Sequence, residues 1–350
     1  GLDVMNVLPL LPDGTLPDGI EVLGGTVMKA KVAGQYMGSQ LSFSGQAEYE
    51  GGSVKVKETQ VDGIHGFISF TDAEALLSAD AEAAGQQAHV NGKVRYDTGA
   101  PYLDLHVASD SFDPSKVLKD IPYEGAAAVK AHVTGTAADP VADGTVRVAS
   151  GTAAGIPFAN ARAHVRYEDG RVSLQDVAVN AFGGTARGEG VFSPADLTYT
   201  AHLAASDIDV QQAAAYVPEL ADLTGRISCN MGISGKGSDT SDLQAYGSAE
   251  LKNGAYKDLP IESLAASFFA HGKDITIDYA SLNLPNRSTL GIEGKVKDGS
   301  SLDLAFYGGH VDLSLVRTLI PEADVTGFGD FEGTVQGDIT DPAVNFKFTA

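Results

Sequence analysis

The sequence predicts an all-β fold, mainly antiparallel with short helices, built by repetition into a curled sheet. Three observations predict it. Apolar and polar side chains alternate with a period of two over most of the chain; Gly, Asn, Asp and Pro turns separate the runs; and one set of landmarks returns about every hundred residues. Such alternation gives each strand one apolar and one wetted face, as in antiparallel sheets covered on one side only.

The landmarks are clearest from Val311 to Pro342. Asp312 stands where a helix N-cap belongs, its carboxylate placed to accept the free N–H groups of a first turn. Leu313, Val316, Leu319 and Ile320 follow at helical spacing until Pro321 forbids continuation. After a glycine the pattern becomes strand-like, with Phe331 and Val335 against Asp330, Glu332 and Thr334, and it closes on Gly337 and Asp341-Pro342. Earlier copies are in phase. Phe112-Asp113-Pro114 leads to Pro122, Gly125, Gly135-Thr136 and Asp139-Pro140; Ile208-Asp209-Val210 leads to Pro218, Gly225 and Gly235; Leu2-Asp3-Val4 leads to Pro12 and Gly25. The opening glycines Gly25, Gly125, Gly225 and Gly327 are spaced by 100, 100 and 102 residues, and the closing glycines by 100 and 102. This period predicts repeats over 1–111, 112–207 and 208–310 and a partial one over 311–350.

Taken in order, the first repeat offers strands whose apolar sets are Met28, Ala30 and Val32; Leu41 and Phe43; Val54 and Val56; Ile64, Phe67 and Phe70; Val90, Gly92 and Val94; and Leu103, Leu105 and Val107. Residues 72–85 (DAEALLSADAEAAG) carry enough alanine for a helix, yet read equally as a strand and turn. In the second repeat Val129, Ala131 and Val133 oppose Lys130, His132 and Thr134. Val146 and Val148 follow, then Ala163, Val165 and Tyr167 against Arg162, His164 and Arg166, then Val172, Leu174, Val177 and Val179, and then Leu197, Tyr199 and Leu203. The third gives Ile227, Cys229, Met231 and Ile233; Leu251; Leu264 and Phe268; Ile275 and Ile277; and Leu302, Leu304 and Phe306. Apart from the Ile64 and Val90 groups, these residues together with Phe331 and Val335 are the candidate lining of a shared apolar surface.

Two architectures satisfy one-sided alternation: separate sandwiches of about 100 residues each, or neighbouring repeats joined edge to edge with their apolar faces continuous. No Pro- or Ser-rich linker separates the repeats. The inward set is Ala, Val, Leu and Ile, with no Trp and 7% aromatic residues, whereas a two-sheet core usually recruits bulky rings. The 41 glycines suit curved and bulged strands. These features favour the curled sheet.

Charge narrows the function classes. With 24 basic against 46 acidic residues and a net charge of −22, there is no clustered Lys/Arg patch to displace phosphate counterions, which argues against nucleic acid as a partner. The single cysteine, Cys229, sits in an alternating apolar run and reads as a packed side chain, leaving no disulfide framework. No nucleophile elbow, Walker loop or His-Glu-x-x-His motif occurs, and the Gly-x-Gly pairs at 235 and 327 read as turn glycines, so the chain reads as non-enzymatic with no cofactor. His89, His106, His132, His164 and His202 fall on the polar face. They could ligate a metal if adjacent strands aligned them, but read more simply as solvated residues, so no metal site is assigned. Asp207, Asp209 and the Asp-Pro pairs read as caps and turns rather than calcium ligands. No apolar run is long enough for a spanning helix, and no secretory signal is visible.

The pattern resembles the AsmA-like superfamily, in particular its TamB-type repeat regions. The resemblance rests on the hydrophobic-Asp-hydrophobic helix start (Val311-Asp312-Leu313), the following Pro, the strand-opening Gly, and Gly135-Thr136 followed by Asp139-Pro140; Gly-Thr is replaced at Gly235-Lys236 and Gly337-Asp338. It implies a β-taco, a long folded sheet with a hydrophobic groove. It also implies a bridge in the periplasm along which phospholipids move between inner and outer membranes, and partnership with an outer-membrane β-barrel of the Omp85 type through a segment outside this chain. On that reading the chain is part of a longer protein anchored in the inner membrane. A scaffold that assembles outer-membrane barrels by β-augmentation and an extracellular fibre of β-sandwiches are the alternatives.

Overall fold

The computed structural model describes residues 1–6, 20–37, 40–56, 59–83, 85–96, 100–116, 123–136, 138–153, 155–237, 241–315 and 325–349. They divide into two compact units, Gly1–Leu174 and Gln175–Ala350. All described strand pairings are antiparallel, and the fold class is the expected one, a repetitive curled all-β sheet. Among the described residues no helix is long and apolar enough to cross a membrane.

In the first unit, β1 (Leu2–Asp3), β2 (Ile20–Met37), β3 (Gln40–Val56), β4 (Thr59–Thr71), β5 (Glu74–Ala83), β6 (Gln86–Arg95) and β7 (Tyr102–Phe112) are followed by a two-residue β8 (Tyr123–Glu124), β9 (Ala127–Thr136), β10 (Pro140–Ala153) and β11 (Ile156–Glu168). From β2 onward each strand pairs with the next, except that β7 pairs with β9 while β8 pairs with the far end of β10. The ambiguous stretch at 72–85 is thus the strand β5. Its Ala75, Leu77 and Ala79 pair with Val94, Gly92 and Val90, so sheet pairing overrides the helical propensity of alanine.

β12 (Arg171–Ala181) begins in the first unit and ends in the second. Asp176 within it has φ 50°, in the left-handed region, and stands between apolar residues at even positions (Val172, Leu174) and at odd ones (Val177, Val179).

The second unit continues with β13 (Gly184–Ser193), β14 (Thr198–Asp209), helix α1 (Val210–Ala214), β15 (Leu223–Lys236), β16 (Gln244–Tyr256), β17 (Leu259–His271), β18 (Asp274–Asn283), β19 (Thr289–Lys297), β20 (Ser301–Asp312), β21 (Phe328–Asp338) and β22 (Asp341–Thr349). From β13 to β22 each strand pairs with the next. Leu197 falls in the turn before β14 rather than on the strand, with φ 60° and its carbonyl accepting from the Gly237 N–H.

The repeat landmarks are structurally equivalent. Each of the four helix starts is a short helical turn capped by its aspartate: Asp3 Oδ1 accepts from the Met5 N–H at 2.9 Å, Asp113 Oδ1 from Ser115 at 3.0 Å, Asp209 Oδ1 from Gln211 at 3.0 Å, and Asp312 Oδ1 from Ser314 at 2.9 Å. Among the described residues α1 is a full α-turn, and Val4–Asn6, Pro114–Lys116 and Leu313–Leu315 are 3₁₀ turns. Val316, Leu319, Ile320 and Pro321 of the expected last helix, with Pro12 and Pro122, lie outside the described residues. The opening glycines share positive φ values of 142°, 146°, 117° and 107°. Three of them face another glycine on the partner strand: a Cβ at Gly25 would come 3.0 Å from Gly52 Cα, at Gly125 3.2 Å from Gly151 Cα, and at Gly225 2.8 Å from Gly254 Cα. Close backbone approach as well as backbone hand thus excludes other residues there.

Glycine has a second use. Gly45 pairs with Phe70, Gly232 with Tyr246, Gly235 with Tyr199, Gly291 with Tyr307 and Gly308 with Phe331, and in each pair a Cβ on the glycine would overlap the partner's aromatic side chain. The ring lies across the neighbouring strand because that strand has no side chain there. Gly308→Val is therefore expected to destabilise the protein by about 1–3 kcal/mol through overpacking. Adding Phe331→Ala should recover part of that loss in urea denaturation, a non-additivity that identifies the ring as the obstacle.

Candidate functional site: the apolar face

Residues directly opposite on antiparallel strands lie on one face of the sheet, so the register tells whether alternation stays in phase from strand to strand. In the first unit it does. Ala30, Ala47, Ile68, Leu77, Gly92, Leu105, Val133, Ala142 and Tyr167 form one transverse row, each opposite the next. The row one residue along is Lys29, Glu48, Phe67, Ser78, Asn91, His106, His132, Asp143 and Arg166. Parallel to the first run Val32, Gly45, Phe70, Ala75, Val94 and Leu103, and, further along the strands, Ala79, Val90, Val107, Ala131, Gly144 and Val165. Val129, Val146 and Ala163 share this face, as do Val148 and Ala161. Phe67, grouped by the sequence with Ile64 and Phe70, projects instead to the polar side, opposite Glu48.

The second unit repeats the arrangement. Gly188, Leu203, Met231, Gly247, Phe268, Ile277, Gly294, Leu304, Val335 and Val344 form a row across β13 to β22. Beside it lie Tyr199 with Gly235, Ile233 with Ala245, Cys229 with Ala249, Ile275 with Val296 and Leu302, and Phe306 with Ile292; Phe331 joins it through Gly308. Bulges at β17–β18 and β18–β19 keep Phe268, Ile277 and Gly294 aligned despite the odd spacing of Ile277 and Ala280.

These faces are not sealed. No residue of either central row is buried. Val32 is 67% exposed and Phe43 40%. Met28, expected in the lining, falls instead at the bulge between Val27 and Lys29 and lines a hollow with the polar-face residues Glu48, His65, Phe67 and Asp80. The four buried apolar residues described in the first unit, Ala75, Ala79, Ala127 and Val148, are all small. Among the described residues, closure occurs at the helix end of the second unit, where Val210 of α1 packs with Leu251, Leu259, Ile261 and Leu284, and with Ile227 and Leu264 at its margin. Three of the expected lining residues, Ile227, Leu251 and Leu264, therefore belong to this local core beneath α1. Val54 pairs with Val22 and Val61 at the corresponding end of the first unit, and Leu41 and Val56 have no described side chains. The expected lining omitted the strand β5 and the row members Ala47 and Ile68. The signal for β5 was present as Ala75, Leu77, Ala79 and Ala81 at alternate positions, obscured by its alanine content.

The polar face is laced with ion pairs: Lys29–Glu48 at 3.1 Å, Lys93–Asp104 at 3.7 Å, His164–Asp143 at 2.8 Å and Arg226–Asp207 at 3.2 Å. Hydrogen bonds from His132 and from His164 hold the carboxyls of Asp104 and Asp143, respectively, below the usual range. On the apolar side, burial raises the Tyr49 hydroxyl. At the β13–β14 turn the hydroxyls of Ser193 and Thr198 lower Asp196 to about 2. Compared with known proteins, the chain matches no family model, no curated protein and no solved structure.

Two predictions follow from this geometry. Leu251→Ala, in the closed cluster, should cost about 2–5 kcal/mol, whereas Val32→Lys on the open face should cost within about 0.5 kcal/mol; equal costs in chemical denaturation would mean that the face is sealed. Because the folded pKa of Asp196 lies below the unfolded value of about 3.9, its contribution to stability is complete above about pH 4 and is lost as pH falls toward about 2. A ¹³C titration of its carboxyl should show that low midpoint, and Ser193→Ala should move it upward.

Proposed function

We propose that the chain is a non-enzymatic segment of a bridge-like lipid-transfer protein of the AsmA-like, TamB type, holding phospholipid acyl chains on its apolar face. The observation that carries this reading is the in-phase apolar row in each unit, left partly exposed rather than packed into a core. A face of that kind needs an apolar occupant that does not demand directional contacts, and an acyl chain gains roughly 0.8 kcal/mol for each CH₂ it buries. The headgroup stays in water beside the strands, so the protein need not supply a charged pocket for it. The strongly acidic polar side keeps such a sheet soluble around its cargo.

On this reading the protein works in the periplasm between the two membranes in support of outer-membrane biogenesis, with phospholipids as its cargo and an Omp85-type barrel as a partner through a segment outside this chain. The transported chain makes only dispersion and hydrophobic contacts with Ala, Val, Leu and Gly, so neighbouring positions along the row differ little in affinity. Movement then requires no chemical step.

The test is site-specific photocrosslinking in cells with a double membrane. A benzophenone side chain at Ala131 or Leu304 should capture phospholipid, while the same group at Lys130 or Asp303, one residue along and on the other face, should not. Leu304→Asp should reduce co-purified phospholipid several-fold without unfolding the chain. Equal capture from both faces, or none from either, would sink the proposal.

A further inference from the structure

The polar face of the first unit carries five of the eight histidines, and one pair among them differs from the rest. His65 and His89 share Asp80, at 3.6 and 2.9 Å, and His164 is bound to Asp143 at 2.8 Å, so each of these rings has a carboxylate partner. His106 on β7 and His132 on β9 differ in standing directly opposite each other, their rings stacked 4.4 Å apart and inclined by 10°. Asp104, two residues before His106 and on the same face, places Oδ1 2.7 Å from His132 Nε2. One ligand atom from each of the three lies within 4.8 Å of the other two.

We propose that Asp104, His106 and His132 bind a divalent transition metal of borderline softness, such as Zn²⁺, with water completing the coordination. Two imidazoles and one carboxylate are a donor set suited to that class of ion rather than to Ca²⁺ or Mg²⁺, which favour oxygen-only sites. Metal–ligand bonds of about 2.0–2.2 Å require the three donors to close to roughly 3.2–3.5 Å. Side-chain rotation supplies this movement, since all three project from adjacent paired strands and none is buried. Lys93, 3.7 Å from Asp104 and 41% exposed, is free to swing outward as the ion takes over its charge. Asp143, opposite His132 on β10, is already engaged by His164 and Arg166 and stays outside the ligand set.

The position gives the ion a structural role. Asp104 and His106 lie at the end of the first repeat and His132 near the start of the second, on two strands that are paired across the intervening cap of Asp113. A bound ion would staple β7 to β9 across that junction.

Titration of the full chain with Zn²⁺ by calorimetry, and with Co²⁺ followed by visible absorption, tests the assignment. One equivalent should bind, raise the melting temperature, and give Co²⁺ ligand-field bands. His106→Gln and His132→Gln should each weaken binding by about tenfold or more, equivalent to about 1.4 kcal/mol, and His89→Gln should leave it unchanged. Far-UV circular dichroism should show retained strand content, because the substituted groups project from the sheet into solvent. No saturable uptake, or uptake unaffected by the double variant His106→Gln/His132→Gln or lost in His89→Gln, would overturn the proposal.

Discussion

The structure depends on keeping a two-residue alternation in phase across successive antiparallel pairings. A slip of one residue anywhere would send every later side chain to the opposite face. In the described pairings within each unit no such slip survives: where the chain inserts an extra residue, a bulge absorbs it, as between Ser267 and Phe268 and between Ile277 and Ala280, and the apolar row resumes on the far side. Phase is therefore an actively maintained property of the sheet, and the bulges are where it is maintained.

The short helices serve the same end. Each begins at an aspartate whose carboxylate caps the turn, and two of these aspartates have their own backbone N–H satisfied by a side chain from earlier in the chain, Gln86 at the start of β6 or Ser288 just before β19. Gln86 accepts from Asp113 and donates back to its carbonyl at 3.0 Å, and Ser288, fully buried, accepts from Asp312 at 2.8 Å. The caps are thus tied to the sheet rather than appended to it. In the second unit α1 adds Val210 to a compact cluster, so one end of the apolar face is closed while the central rows stay open.

Most of this was legible in the residues because alternation and repeat period are local or strictly periodic. The Asp caps, the positive-φ glycines at 25, 125, 225 and 327, and the majority of the apolar set follow from sequence spacing alone. Facts that depend on register were not legible. Phe67 sits three residues from both Ile64 and Phe70, and that odd spacing puts it on the other face. Ile227, Leu251 and Leu264 alternate like their neighbours, and only the packing of α1 removes them from the open surface. The pairing of His106 with His132 required knowing that β7 skips β8, a two-residue strand that no periodicity announces. Gly45 and Phe70 are likewise 25 residues apart in sequence, and their complementarity exists only once β3 lies beside β4.

That complementarity bears on what the apolar face can carry. An alternating strand of full-sized side chains would present a corrugated surface, with ridges of Leu and Phe over furrows of Ala. Here large residues repeatedly meet glycine across the strand, as Leu105 meets Gly92, Leu304 meets Gly294 and Phe268 meets Gly247, and on this face the rings of Phe70, Tyr199 and Phe331 lie over the bare backbone of Gly45, Gly235 and Gly308. The relief of the surface is reduced and its apolar character is kept. A flexible hydrocarbon on a level surface of this kind finds contacts of similar strength at each step, since dispersion depends on close approach and little on direction. A rigid ligand, by contrast, requires a pocket with fixed polar anchors, and the central rows provide neither. The same glycines that let the sheet bend and close its turns thus also level its apolar side, the surface along which the proposed acyl-chain cargo would lie.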